Sequence, residues 1–88
     1  MLSEKVTIVN KLGLHARAAI KLVNLTSLSA ESQLSNNTKT VNCKSIMGIL
    51  MLGASKGTEL TLSVTGDDEI EAFSQIKALI ANRFDEAE

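Results

Sequence analysis

The sequence predicts a two-layer α+β sandwich, and three observations carry that expectation. Apolar residues alternate with polar ones in several short runs and recur at helical spacing in others, in the order β-α-β-β-α-β-α. A chain of 88 residues buries only about 60–65 % of its unfolded surface, enough for one core and one domain over residues 1–88. The aromatic residues are Phe73 and Phe84, so the core must be aliphatic. Four strands with helices on one face satisfy all three.

Each element has its own signal. In Lys5–Val9, Val6 and Ile8 flank Thr7, the pattern of a half-buried strand, and Gly13 breaks the run. Ala16, Ala19, Ile20 and Val23, joined by Leu22, then follow helical spacing, ending near Thr26-Ser27. Ala30–Ser35 reads as a strand with one open face. Asn36-Asn37-Thr38 is its turn, because Asn tolerates the left-handed conformation of a tight hairpin. Thr40–Cys43 is the return strand. Ser45 caps a short helix, Ile46–Leu52, which Gly53 ends. Thr58–Thr65, with Leu60, Leu62 and Val64 alternating, is the clearest strand. Gly66 and Asp67-Asp68 form a turn and N-cap. The last helix runs from Glu69 to about Arg83, with Ile70, Phe73, Ile76, Leu79 and Ile80 as its buried stripe and Arg83 suiting the dipole at its end. The chain contains no proline, so Gly, Asn and Asp make its turns.

Composition narrows the function. Hydrophobic residues are 44 % and charged residues 22 %, with net charge −1, which gives no electrostatic case for nucleic acid or an acidic membrane. The scarcity of aromatics argues against base stacking as well. Residues 1–44 carry six Lys/Arg against two acids, and residues 45–88 carry three against eight. The surroundings of His15 are therefore expected to be positive and to favour an acidic partner. The single Cys43 excludes an internal disulfide and reads as a small core residue. With one His and one Cys, neither a metal site nor a cofactor is expected. The N-terminus lacks a signal-peptide apolar core. The longest apolar run, residues 46–54, falls far short of the roughly 20 residues of a membrane span. A cytoplasmic monomer without membrane insertion is the expectation.

The only histidine, His15, lies in Asn10-Lys11-Leu12-Gly13-Leu14-His15-Ala16-Arg17-Ala18-Ala19, between a strand-like and a helix-like run. A helix start leaves backbone N–H groups unpaired and carries partial positive charge, so it suits an anion. An imidazole there can attack phosphorus, with the amides of Ala16, Arg17 and Ala18 as waiting donors. Arg17 adds a cation whose fork matches phosphate oxygens. The bland alternative is a surface histidine beside a turn. Gly13, Arg17 and the strand-to-helix junction together favour chemistry.

Other features carry less. Ser45 reads first as a cap, although a phosphoryl group there would also be stabilised by the helix end. Ile46–Leu52 is apolar all round, consistent either with a buried segment or with an adaptable partner surface. Gly53-Ala54-Ser55-Lys56-Gly57 lacks the spacing of a phosphate-binding loop. No Ser/His/Asp set can be specified, because the carboxylates nearest His15 in sequence are Glu4 and Glu31. The acidic stretch Asp85-Glu86-Ala87-Glu88 is expected to be a solvated end, with folding back toward a basic site as the alternative.

Two blocks resemble HPr, the histidine-containing phosphocarrier family of the phosphoenolpyruvate-dependent phosphotransferase system. Residues 10–19 look like its phosphohistidine signature, and Asn42–Gly57 looks like its serine block and second helix. The resemblance covers nearly the whole chain. It implies an open-faced β-sandwich: a four-stranded antiparallel sheet covered on one face by three helices. It implies that His15 accepts a phosphoryl group on Nδ1 from Enzyme I and passes it to an Enzyme IIA component. The protein would be an intermediate in transfer rather than a stand-alone enzyme. Arg17 matches the arginine that assists transfer. Ser45 matches a serine that a dedicated kinase modifies in some lineages. The apolar second helix matches the partner surface, which favours exposure of Ile46, Met47 and Leu50, with Ile20 beside them.

The sequence departs from the family pattern at Ala18, where proline usually follows the arginine, and altered rigidity is expected rather than lost function. Residues 48–57, the C-terminal end, and uncharged Asn24 and Ser27 look more like nitrogen-branch than sugar-branch members. The alternative from another class is a non-catalytic regulatory interaction domain that docks through the second helix and Ser45.

Overall fold

The computed structural model describes residues 1–26 and 31–86. Its elements are β1 (Leu2–Thr7), α1 (Ala16–Thr26), β2 (Glu31–Ser35), β3 (Thr40–Asn42), α2 (Ile46–Leu52), β4 (Glu59–Thr65) and α3 (Glu69–Ala81), followed by a short 3-10 turn at Arg83–Asp85. The strands form one sheet in the order β1-β4-β2-β3, with every neighbouring pair antiparallel. The strand with the most regular alternation, β4, takes a central place because its buried face carries Leu60, Leu62 and Val64. Those residues stand opposite Val6 on β1 and opposite Leu34 and Ser32 on β2.

The helices cover that face. Ala18, Ala19 and Leu22 of α1, Ile49 and Leu52 of α2, and Ala72, Phe73, Ile76 and Ile80 of α3 complete one core, which is mainly aliphatic but also takes in both phenylalanines, Phe73 and Phe84. The opposite face keeps polar pairs in register, such as Ser3 with Ser63, 3.2 Å apart between hydroxyl oxygens. Cys43 is buried as expected, and burial pushes its thiol up to about 11. No helix among the described residues is long and apolar enough to cross a membrane.

The order of elements agrees with the sequence pattern, and the differences have local causes. Strand β1 ends at Thr7, not Val9. Ile8 instead bonds the 57–58 turn, accepting from Gly57 N–H at 2.7 Å and donating to the Thr58 carbonyl at 3.0 Å. The buried face of α1 is Ala18, Ala19, Leu22 and Thr26, while Ala16 and Ile20 point outward. The Asn36 turn does not use a left-handed residue, since no residue there has positive φ. Its side-chain carbonyl instead accepts from the backbone N–H groups of Thr38 and Lys39, both at 2.8 Å. The expected starts and ends at Ser27, Ala30 and residues 87–88 lie outside the described residues.

The largest correction is at the end of α3. Ile70, placed in the buried stripe by spacing, is 76 % exposed, and Ala72 takes the core position. The helix stops at Ala81, and Arg83 does not sit in its last turn. Arg83, Phe84 and Asp85 all adopt left-handed backbone, with φ of 57°, 52° and 63°. Phe84, at the middle of this turn, is fully buried.

Candidate functional site around His15

The path from β1 into α1 is set by Asn10 and Gly13. Gly13 N–H donates to the Asn10 carbonyl at 3.2 Å, and Leu14 N–H donates to the Ala54 carbonyl at 2.9 Å. Gly13 has φ +68°, and a Cβ there would lie 2.4 Å from the Ala54 oxygen and 2.8 Å from Ser55 Cα. A side chain at this position is therefore excluded twice, by conformation and by space. Buried Leu14 anchors the turn and leaves the next residue at the surface.

That residue is His15. Its carbonyl accepts from Ala19 N–H at 2.9 Å, so it stands immediately before the first turn of α1. Helical geometry leaves the amides of Ala16, Arg17 and Ala18 without an intrahelical acceptor. Ala16 and Arg17 are exposed, and the His15 side chain is 27 % exposed. Ala18, the third residue of α1, is fully buried, and its N–H, which a proline would lack, also has no acceptor within the helix. Among the described residues, nothing pairs with Arg17 at contact distance.

A carboxylate reaches the ring from the far end of the chain. Glu86 Oε2 lies 2.5 Å from His15 Nε2, and Glu86 Oε1 accepts from Asn10 Nδ2 at 2.9 Å. Asn10 Nδ2 also donates to the Gly13 carbonyl at 2.7 Å, so one buried amide ties the turn to the carboxylate. The Glu86 side chain is only 12 % exposed. The Asn10 hydrogen bond is the chief cause that holds its carboxyl below the usual range. The hydrogen bond and charge of His15 and the charge of Arg17 act in the same direction, against partial burial. The positive surroundings expected for His15 are thus partly neutralised from within, because the fold brings the acidic end of the chain to the basic site.

Comparison with known proteins decides the family. The model of the PTS HPr component phosphorylation site matches residues 2–82. The chain belongs to the HPr family. The phosphocarrier protein HPr of Cupriavidus necator is 49 % identical over 89 residues, covering all of both chains. The phosphocarrier protein NPr of Shewanella violacea is 45 % identical and covers 98 % of this chain and 96 % of its own. The crystal structure of HPr-C-His from Thermoanaerobacter tengcongensis superposes with a TM-score of 0.92 at 42 % identity, over the full length of both.

The other residues singled out in this HPr chain lie on α2 and the neighbouring face of α1. Ser45 is the N-cap of α2, and its hydroxyl accepts from Gly48 N–H at 3.0 Å. Ile20, Ile46, Met47 and Leu50 are all exposed, with Met47 the most open at 67 %. Met51 joins them on the outer side of α2. Helices α1 and α2 pack on each other. No hydrogen bond or ion pair joins Ser45 to His15 among the described residues.

Two residues at the centre of the site, Asn10 and Glu86, were missed as functional candidates. Asn10 carried a weak signal, as a polar residue closing an apolar strand and yet fully buried in the fold. Glu86 carried only the charge contrast between the two ends of the chain, 71 residues from its partner.

Proposed function

We propose that His15 is the point of phosphoryl loading in this phosphocarrier of the phosphotransferase system. Membership of the HPr family makes the chain such a carrier. The finer reading is that Nδ1 takes the group from a phosphohistidine of Enzyme I and delivers it to a histidine of an Enzyme IIA component in the cytoplasm. The observation that supports it is a partly exposed imidazole directly before the first amides of α1, with the Arg17 guanidinium two residues on and nothing paired to it at contact distance among the described residues.

The step balances simply. The Nδ1 lone pair forms the new N–P bond as the donor's N–P bond breaks, and the electron pair stays on the donor ring. Such transfers are largely dissociative, so positioning and charge neutralisation supply most of the catalysis. The amides of residues 16–18 and the Arg17 fork are placed to receive the phosphoryl oxygens. A docked partner completes the site and excludes water. The exposed apolar side of α2, with Ile20 from α1, suits such docking, and Ser45 at its margin is the residue a kinase would modify.

Incubation with Enzyme I and phosphoenolpyruvate, followed by intact-mass measurement, tests the reading. The native protein should gain one acid-labile phosphoryl group and His15→Ala none, while Arg17→Ala should slow transfer. Uptake by His15→Ala refutes the assignment. A native protein that gains nothing and still binds regulators favours the docking-only alternative. For the branch we infer nitrogen-related regulation, on uncharged Asn24 in α1 and the character of residues 48–57. Faster transfer to a sugar-branch acceptor than to a nitrogen-branch one would reverse that inference.

A further inference from the structure

The left-handed turn at residues 83–85 is unfavourable, since left-handed backbone crowds the Cβ of a non-glycine residue against the following carbonyl oxygen. Three such residues in succession persist only where the surroundings over-determine them. Here the burial of Phe84 is one constraint. Lys21 Nζ donates to the Phe84 carbonyl at 2.9 Å and lies 3.8 Å from Asp85. Asn82 Nδ2 closes the turn on Asp85 Oδ1 at 2.9 Å. The product of this arrangement is the position of the next residue, Glu86, whose two carboxylate oxygens are divided between Asn10 and His15.

We propose that Glu86 is a positioning residue for phosphoryl transfer, holding the Nε2 proton of His15 so that Nδ1 presents the lone pair. The proposal rests on the reading of His15 as phosphoryl acceptor. Its logic is that of a donor and an acceptor. An ionised carboxylate can only accept, so Nε2 must donate, and in the neutral ring the remaining nitrogen, Nδ1, is unprotonated. The carboxylate stays ionised because the hydrogen bonds from Asn10 and His15 and the charge of Arg17 hold its affinity for protons down.

The same contact serves the loaded state. When Nδ1 forms the N–P bond and Nε2 keeps its proton, the ring becomes cationic, and no proton has to move. Glu86 then faces that charge directly through a charge-assisted hydrogen bond. On delivery, the electron pair of the breaking N–P bond returns to Nδ1, and the original tautomer is restored. Bonding through Nε2 also fixes the ring's rotation, which sets where Nδ1 lies relative to the amides of α1.

Nitrogen-15 NMR of the imidazole in the unloaded protein, paired with steady-state loading by Enzyme I, tests this. The native neutral ring should show the Nε2–H tautomer alone. In Glu86→Gln the side-chain amide can either accept or donate, so both tautomers should appear, and kcat for loading should fall about tenfold with KM unchanged. Lys21→Met, which loosens the turn while keeping the carboxylate, should give a smaller loss in the same direction. A native tautomer pattern in Glu86→Gln overturns the proposal, and so does an unchanged kcat. If the native protein itself takes up no phosphoryl group, the acceptor reading fails and the proposal with it. If native and variant load equally well, the proposal alone fails.

Discussion

Asn10 makes one side-chain amide serve two elements. Its donors hold the Gly13 carbonyl at 2.7 Å and the Glu86 carboxylate at 2.9 Å, so the turn before α1 and the end of the chain share a single buried anchor. This anchor is also the first cause of the lowered proton affinity of Glu86. A pH dependence follows. A carboxyl whose native value lies below its unfolded one stabilises the fold above the ordinary carboxylate range. That contribution is lost as pH falls through the lowered native value. The facing groups are Arg17 from α1, His15 immediately before it and Asn10 from the preceding turn, none of them acidic. Melting curves of native protein and Glu86→Gln should therefore differ most near neutral pH and converge in acid. A gap that widens on acidification would contradict the assignment of causes.

At the scale of elements, short helices depend on their ends. The seven residues of α2 have few backbone bonds of their own, and the Ser45 hydroxyl satisfies one of the free amides at the start. Gly53 closes the other end with φ +64°, its N–H donating to the Leu50 carbonyl at 3.1 Å. Ser45→Ala should cost about 1 kcal/mol in urea unfolding, the usual value of such a cap, while leaving the sheet intact. A loss well above about 2 kcal/mol would mean that Ser45 supports more than the helix start. The apolar outer side of α2 adds no core packing at Met47 or Met51, so its composition is not explained by stability.

At the scale of the molecule, β4 joins the two ends of the chain. It pairs with β1 on one side and β2 on the other, which interleaves the basic first half with the acidic second half. The core reaches to the last turn through Phe84. Phe84→Ala should therefore act twice. It should destabilise the fold by about 3–5 kcal/mol through the lost aromatic burial. It should also release Glu86 from His15, seen as a changed imidazole nitrogen spectrum under conditions where the variant is folded. A folded Phe84→Ala with the native nitrogen spectrum would show that the turn holds Glu86 without its aromatic anchor.

The amino-acid order by itself determined the succession of elements, both ends of α2, the aliphatic core along β4 and the imidazole before a helix. Each of these is a local matter: side-chain period, a cap, a glycine or a strand-to-helix junction is readable within a few residues. Ile70 and Arg83 escaped that reading because spacing names a helical face but not where the neighbouring sheet stops. Only the folded chain decided that Glu86 meets His15, because that contact joins residues 71 apart through a left-handed turn. Such a turn is unfavourable for each residue taken alone, and it exists because one buried ring and one lysine hold it there.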